Sequence, residues 1–323
     1  MSQLQRDLID LGGAGAAVVD LDDGAEWLGA GAGVVRIGMS RGGVLPTAGL
    51  EQCDILLTTA ADPPRPWVQG GDAMLAEVLA CIERQPVAAA VAAQVLRMTL
   101  AVSFEQALTL ESLGYSMLLA SESFRDWRVG REVRRRDNDD DPRVLIEEGA
   151  AGLSIRLNRA NARNAFDARM RDELSEALAF ALDHPDAPAV ELTGLGPSFS
   201  AGGDLDEFGG AADVGWAHMI RTLRSPARLV SALGPRLTVR VHGHCIGAGI
   251  EVPAAAARLT ARPDAVFRLP EVSMGLIPGA GGTATIPRRI GRHRAAYMAI
   301  SGAAIDTETA LAWGLVDAVE AGA

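Results

Sequence analysis

The chain contains no lysine: all 30 of its basic residues are arginine. Without an ε-amino group there is no Schiff base to a carbonyl substrate and no anchor for pyridoxal phosphate. A P-loop with its Gly-Lys-Ser/Thr and a kinase with its phosphate-binding lysine are excluded for the same reason. Aromatic residues make up only 4% of the chain, so its core is expected to be closely packed helices and strands with small contact residues. The three cysteines, Cys53, Cys81 and Cys245, are too few and too scattered for a disulfide framework or a CxxC metal site. They read as small buried hydrophobes in a reducing compartment. No HExxH motif is present, and His242 and His244, flanking Gly243, are a weak pair of metal ligands; no metal site is expected. No apolar run reaches the roughly 18 residues that span a bilayer, and the start, MSQLQRDLIDLGG, lacks the basic region of a signal peptide. The expectation is a soluble cytoplasmic protein without a membrane partner.

The net charge of −11 argues against nucleic acid as a partner. The charge is uneven, however. Between Ile220 and Arg294 stand twelve arginines opposed only by Glu251, Asp264 and Glu271. This reads either as a salt-bridged surface or as a cationic rim for a small polyanionic ligand. At 323 residues the chain can bury a sizeable core as one large domain or two modest ones.

Its organisation changes twice. Residues 1–137 form an N-terminal region. Within it, 14–68 read as short strands at 17–19, 34–37 and 54–59, after a short helix at 1–13 and around a turn at 29–33. Residues 70–136 read as helices, with breaks near Pro86, at Ser103 and at Ser121. Ser103 followed by Gln106 predicts a capped helix start. A charged linker, 131–141, leads to a second region, 142–323. There a hairpin at 143–157 is followed by strand, loop and helix in repeated units: helices at 166–182 and, with a break expected at Pro226, 216–233, and strands at 189–193 and 237–241. An alanine-rich helix carrying Glu251, a strand at 266–268, helices at 287–301 and 307–313 and a last strand at 316–319 complete an α/β pattern.

Two loops there can support chemistry. Ser198-Phe199-Ser200-Ala201-Gly202-Gly203-Asp204-Leu205 follows a predicted strand, and Gly247-Ala248-Gly249 opens the helix with Glu251. Backbone N–H groups in two such turns can converge on one oxygen and stabilise developing negative charge. Glu251 and Glu271 are the carboxylates able to reach the same cleft. Paired acids beside an oxyanion hole fit addition of water to an activated double bond, one acting as base and the other as proton donor. Glu251 alternatively serves only the dipole of its helix.

Taken together, Leu157-Asn158-Arg159 with Arg163-Asn164-Ala165, the Phe199–Leu205 loop, Val241–Glu251, Leu269-Pro270-Glu271 through Gly279-Ala280-Gly281-Gly282-Thr283, and Gly314-Leu315-Val316-Asp317 resemble the crotonase superfamily of enoyl-CoA hydratases and isomerases. The resemblance spans about 144–319. It implies an α/β fold that is a spiral of ββα repeats, here with the N-terminal α/β region and helical segment added. It further implies an acyl-CoA thioester substrate, no cofactor beyond the coenzyme A of that substrate, and a homotrimer or hexamer. By position, Gly203 and Ala248 would be the oxyanion donors, Glu251 and Glu271 the catalytic pair, with Glu271 nearest the α-carbon. Ala162, Asn164, Ala201, Asp204, Leu205, Ile246, Gly247, Pro270 and Leu276 would contact the acyl-CoA. Possession of both glutamates favours a hydratase. An isomerase, hydrolase or decarboxylase on the same scaffold, or a catalytically silent oligomeric subunit, is the alternative. The chain ends at Ala323, where relatives continue into a helical subdomain covering the site. Residues 70–128, with Ser121-Glu122-Ser123-Phe124-Arg125, resemble that subdomain and are expected to cap the core from upstream.

Overall fold

In the segment Leu237–Val241, residues Leu237, Val239 and Val241 are buried, Thr238 is half-buried and Arg240 is exposed, the period-two pattern of a strand with one protected face. This strand, β8, is central to a six-stranded sheet. It pairs in parallel with β7 (Val190–Gly194) on one side and β10 (Arg258–Ala261) on the other. β13 (Ala318–Val319) continues beyond β10, and the antiparallel hairpin β5 (Val144–Gly149) and β6 (Gly152–Leu157) closes the other edge. A three-stranded sheet of β12 (Ile305–Asp306), β11 (Val266–Arg268) and β9 (His244–Ile246) lies at the loops that follow β8. The computed structural model describes residues 15–23, 33–132 and 140–320. The helix expected at 1–13, most of the 29–33 turn and most of the charged linker lie outside them.

The N-terminal strands β1 (Ala16–Asp20), β2 (Val35–Ser40), β3 (Ile55–Thr58) and β4 (Val68–Gln69) form a parallel sheet in chain order. The order repeats in miniature that of β7, β8, β10 and β13. Ala48-Gly49-Leu50-Glu51 precedes β3 much as Ala248-Gly249-Ile250-Glu251 precedes β10. The copy holds no second site, because the Glu51 carboxylate is 87% exposed and pairs with Arg292 on the surface. Four helices follow: α1 (Asp72–Arg84), α2 (Pro86–Met98), α3 (Phe104–Leu119) and α4 (Glu122–Val129). α3 starts at the expected capping box, with Ser103 and Gln106 each accepting the other's backbone N–H.

Two expectations for the second region fail. The helix carrying Glu251 does not extend through the alanines. α8 spans only Ala248–Glu251, and a 3-10 turn at Pro253–Ala255 leads into β10. Pro253 has no N–H to continue the ladder, and the Ala254 and Ala256 carbonyls are taken instead by the Arg289 guanidinium. A one-turn helix has little macrodipole, so the dipole alternative for Glu251 loses its physical basis.

The helix expected from Pro287 is also two helices, α9 (Gly282–Ile290) and α10 (Arg292–Ser301), separated by Gly291 at φ 84. Pro287 lies inside α9. It cannot donate to the Thr283 carbonyl four residues earlier, and the buried Thr99 hydroxyl donates there at 2.7 Å. After α5 (Ala168–Asp183), Pro226 breaks the helical stretch as expected and starts a helix: α6 (Val214–Leu223) ends before it and α7 (Pro226–Leu233) begins on it.

α10 is buried on every face from His293 to Ile300, which requires cover all round. α1, α2 and β3 supply it, so both regions share one hydrophobic core. Arginines fasten the seam. Arg292 donates to the Cys53 and Glu51 carbonyls, and Arg294 to those of Trp67 and Pro63.

Candidate active site

A cavity of about 760 Å³ lies between the second region and helices α3 and α4. Gly203, Asp204, Ala248, Glu251 and Glu271 line it; so do Leu108, Glu111, Tyr115, Phe124 and Arg128 from the N-terminal region.

Glu251 ends α8. Its Oε2 accepts from the amides of Ala280 at 2.7 Å and Gly282 at 2.9 Å, so the loop before α9 fixes one oxygen. Glu271 opens a 3-10 turn at Glu271–Met274, and among the described residues its buried Oε2 has no hydrogen-bond partner. The two meet over Gly247. A methyl group there would collide with Glu271 Oε1 and lie 3.7 Å from Glu251 Oε1. Gly247 also has φ 49 and ψ −122, a conformation that glycine alone adopts readily. It therefore serves the site by making room for both carboxylates.

Burial raises the pKa of Glu251 to about 7, against the opposing pull of the amides of residues 279–282. Burial and then the charge of Glu251 raise Glu271 well above the carboxylate range. The environment thus separates a group held ready to ionise by donated hydrogen bonds from one held as the acid by their lack.

The oxyanion candidates are backbone groups. Gly202 takes φ 88, and its carbonyl accepts from Phe166 while Asp204 N–H returns to Phe166 O. That pairing places Gly203 between them at the cavity wall. Ala248 follows Gly247 on the facing loop, which is bound to the first by Ser200 N–H to His244 O and Ile246 N–H to Ser200 O. Among the described residues, no hydrogen bond is donated by the Gly203 or Ala248 N–H. Two free amides beside two carboxylates can hold a thioester oxygen as it gains charge.

Other expected contacts stand elsewhere. Ala162, Asn164, Ala201, Leu205, Ile246, Gly247, Pro270 and Leu276 do not line this cavity. Asn164 is fully buried: its oxygen accepts from Arg159 N–H, and its nitrogen donates to the Leu195 and Ser198 carbonyls, so it braces the loop. Leu276 is a core residue. Asp204 lines the wall but is committed to Arg159 at 2.8 Å in a buried pair. His242 and His244 bond separately to the Gly196 carbonyl and the Ser198 hydroxyl. Of the twelve arginines in 220–294, Arg221, Arg224 and Arg228 line the cavity; most of the rest cap carbonyls or pair with acids.

The residue that the motifs do not reveal is Glu111 on α3. Its Oε1 accepts from Gly281 N–H, and its Oε2 from the N–H and hydroxyl of Thr283, each at 2.7 Å. Burial and the neighbouring Glu251 push its pKa up to about 8, opposed by those three donors. The available signal was its place on the apolar stripe of Leu108, Tyr115 and Leu118, where a carboxylate has to find partners.

The layered α/β core thus brings two carboxylates and two free amides to one cleft. A family model described as enoyl-CoA hydratase/isomerase matches residues 147–323, and the chain belongs to that family. It is 34% identical over 173 residues to the mevalonyl-coenzyme A hydratase SIDH of Beauveria bassiana, covering 51% of this chain and 62% of that protein. It is 34% identical over 178 residues to the 2,3-dehydroadipyl-CoA hydratase of Escherichia coli, covering 54% of this chain and 68% of that protein. An enoyl-CoA hydratase structure from Thermoplasma volcanium superposes with a TM-score of 0.52 at 32% identity, over 56% of this chain and 73% of that one.

Proposed function

We propose that the protein adds water across the double bond of a 2-enoyl-CoA thioester. The observation that carries this is the contrast between the two acids. Glu251 is held by two amides as a base, while Glu271 has a buried oxygen without a partner and keeps its proton. The thioester oxygen sits on the Gly203 and Ala248 amides. Glu251 takes a proton from water as the hydroxyl bonds to the β-carbon, and electrons move to the thioester oxygen as an enolate. The enolate re-forms the carbonyl as Glu271 delivers its proton to the α-carbon. Glu251 then carries the proton that Glu271 has lost, and the convergence of both on Gly247 gives a short path for its return. The relatives named as hydratases support the reaction type. No cofactor beyond the substrate's coenzyme A takes part.

Mixing the purified protein with crotonyl-CoA tests the reading: the absorbance of the conjugated thioester should fall as water adds. Unchanged absorbance together with proton exchange at the α- or γ-carbon would favour an isomerase instead. We further propose that the chain self-associates as a trimer. In support, α6 presents Trp216, Met219, Ile220 and Leu223 to solvent, a contiguous apolar face of the kind that marks an interface. Light scattering at dilute concentration tests it, and a monomer would overturn it.

A further inference from the structure

Arg221 of α6 lines the cavity as a largely buried cation. Its guanidinium lies 4.3 Å over the Tyr115 ring, and Nη1 donates to the Ser112 and Ser116 hydroxyls at 3.0 Å each. His218 Nδ1 bonds Ser112 Oγ at 2.9 Å and steadies that hydroxyl. A guanidinium has five N–H groups. The two on Nη1 are used, which leaves the Nε and Nη2 edge, the fork that fits a carboxylate with two parallel bonds. Among the described residues no carboxylate pairs with Arg221 and no acceptor meets that edge. Arg171 and Arg224 also line the cavity, but each is paired with Asp172, at 2.7 and 2.9 Å.

A largely buried cation held only by two hydroxyls and a ring is under-compensated, and burial lowers its pKa accordingly. Its position indicates which anion would complete it. The Tyr115 ring that Arg221 covers packs directly against Gly279, the residue before the Ala280 amide that holds Glu251. Arg221 is therefore one ring away from the loop that holds Glu251. The phosphates of coenzyme A are separated from the thioester by the whole pantetheine arm. A cation this close to the catalytic pair is placed for the acyl group.

We propose that Arg221 binds a carboxylate at the far end of the acyl chain, so that the preferred substrate is an enoyl-CoA bearing a second anionic group. The proposal rests on the acyl-CoA reading of the site and names the substrate class. It does not require that hydration be the reaction.

Calorimetry with saturated thioesters, which cannot be hydrated, tests it on the full chain. Adipyl-CoA is compared with hexanoyl-CoA, and glutaryl-CoA with pentanoyl-CoA. The wild type should bind the better-fitting dicarboxylic thioester about 10-fold to 100-fold more tightly than its neutral partner, the range for a hydrogen-bonded charge pair. In Arg221→Met that ratio should fall to near one. Arg221→Lys, which keeps the charge and loses the fork, should fall between them and guards against a misfolded methionine variant. Equal affinity of the wild type for both members of each pair would overturn the proposal. So would loss of affinity for both alike in the variants, which would place Arg221 on the coenzyme A phosphates or in the fold. Failure of the hydratase reading would appear separately, as no turnover of any 2-enoyl-CoA alongside an intact binding preference.

Discussion

Glu111 and Glu251 grip alternate amides of one loop. Glu251 takes the N–H groups of Ala280 and Gly282, and Glu111 takes those of Gly281 and Thr283. A helix encoded some 170 residues upstream thus holds the backbone that positions Glu251. Glu111→Ala should remove three buried hydrogen bonds and cost about 3 kcal/mol of stability or more, read as a lower denaturation midpoint. Glu111→Gln keeps the shape. It should lower kcat by about 10-fold and shift the pH profile near and above 8, where the native Glu111 ionises and adds negative charge beside Glu251. A changed stability with an unmoved pH profile would restrict Glu111 to a structural role.

Glu271→Gln should lower kcat on crotonyl-CoA by about 10² to 10⁴, the range for losing a general acid, with a smaller change in KM. An unchanged rate would remove Glu271 from the mechanism.

The rate should be bell-shaped in pH. Glu251 must be ionised to take a proton from water, so activity should fall below about 7. Glu271 must be protonated, and its raised pKa places the loss of activity on the alkaline side. The same shifts work against stability. All three acids have folded-state pKa values raised above the unfolded value of 4.5, so their contribution is fully present below that pH and is lost as pH rises through the folded values. Thermal denaturation between pH 5 and 8 should show declining stability, with a shallower slope in Glu111→Gln.

Gly247→Ala tests the shared space between the acids. The substitution forces an L-residue into φ 49, ψ −122 and drives a methyl group into Glu271 Oε1. Strain alone costs about 1 to 3 kcal/mol, and the displaced Glu271 should lower kcat more than it raises KM. A variant with wild-type kinetics would show that Glu271 is not confined as described.

Removal of residues 1–137 should leave a chain that is insoluble or inactive. It exposes α10, which is buried on every face, leaves the Thr283 carbonyl without Thr99, and strips α3 and α4 from the cavity wall. A soluble, trimeric, active remainder would show that the second region completes its own site.

The local signals read well from sequence because they are set by near neighbours. Period-two burial marks β8, Ser103 and Gln106 fix the start of α3, and the glycine-rich turns mark both oxyanion loops. Where a long-range partner decides, such signals fail. The alanines after Glu251 have helical propensity, but Arg289 claims their carbonyls, and Pro287 survives inside α9 because Thr99 supplies the missing donor. The arginine count left a salt-bridged surface and a cationic rim both open, and most of those guanidiniums are spent on carbonyls and acids within the fold.

The sequence by itself determined the family, the acid pair and the turns that present free amides, because each is written in residues close along the chain. It also closed off lysine chemistry outright. Only the tertiary structure decided that α3 lines the cavity, that Glu111 braces the Glu251 loop, and that Arg221 lines the same cavity with its Nε and Nη2 edge uncommitted. Those facts depend on contacts between segments more than a hundred residues apart, and a desolvated charge reveals its purpose only when its neighbours in space are known.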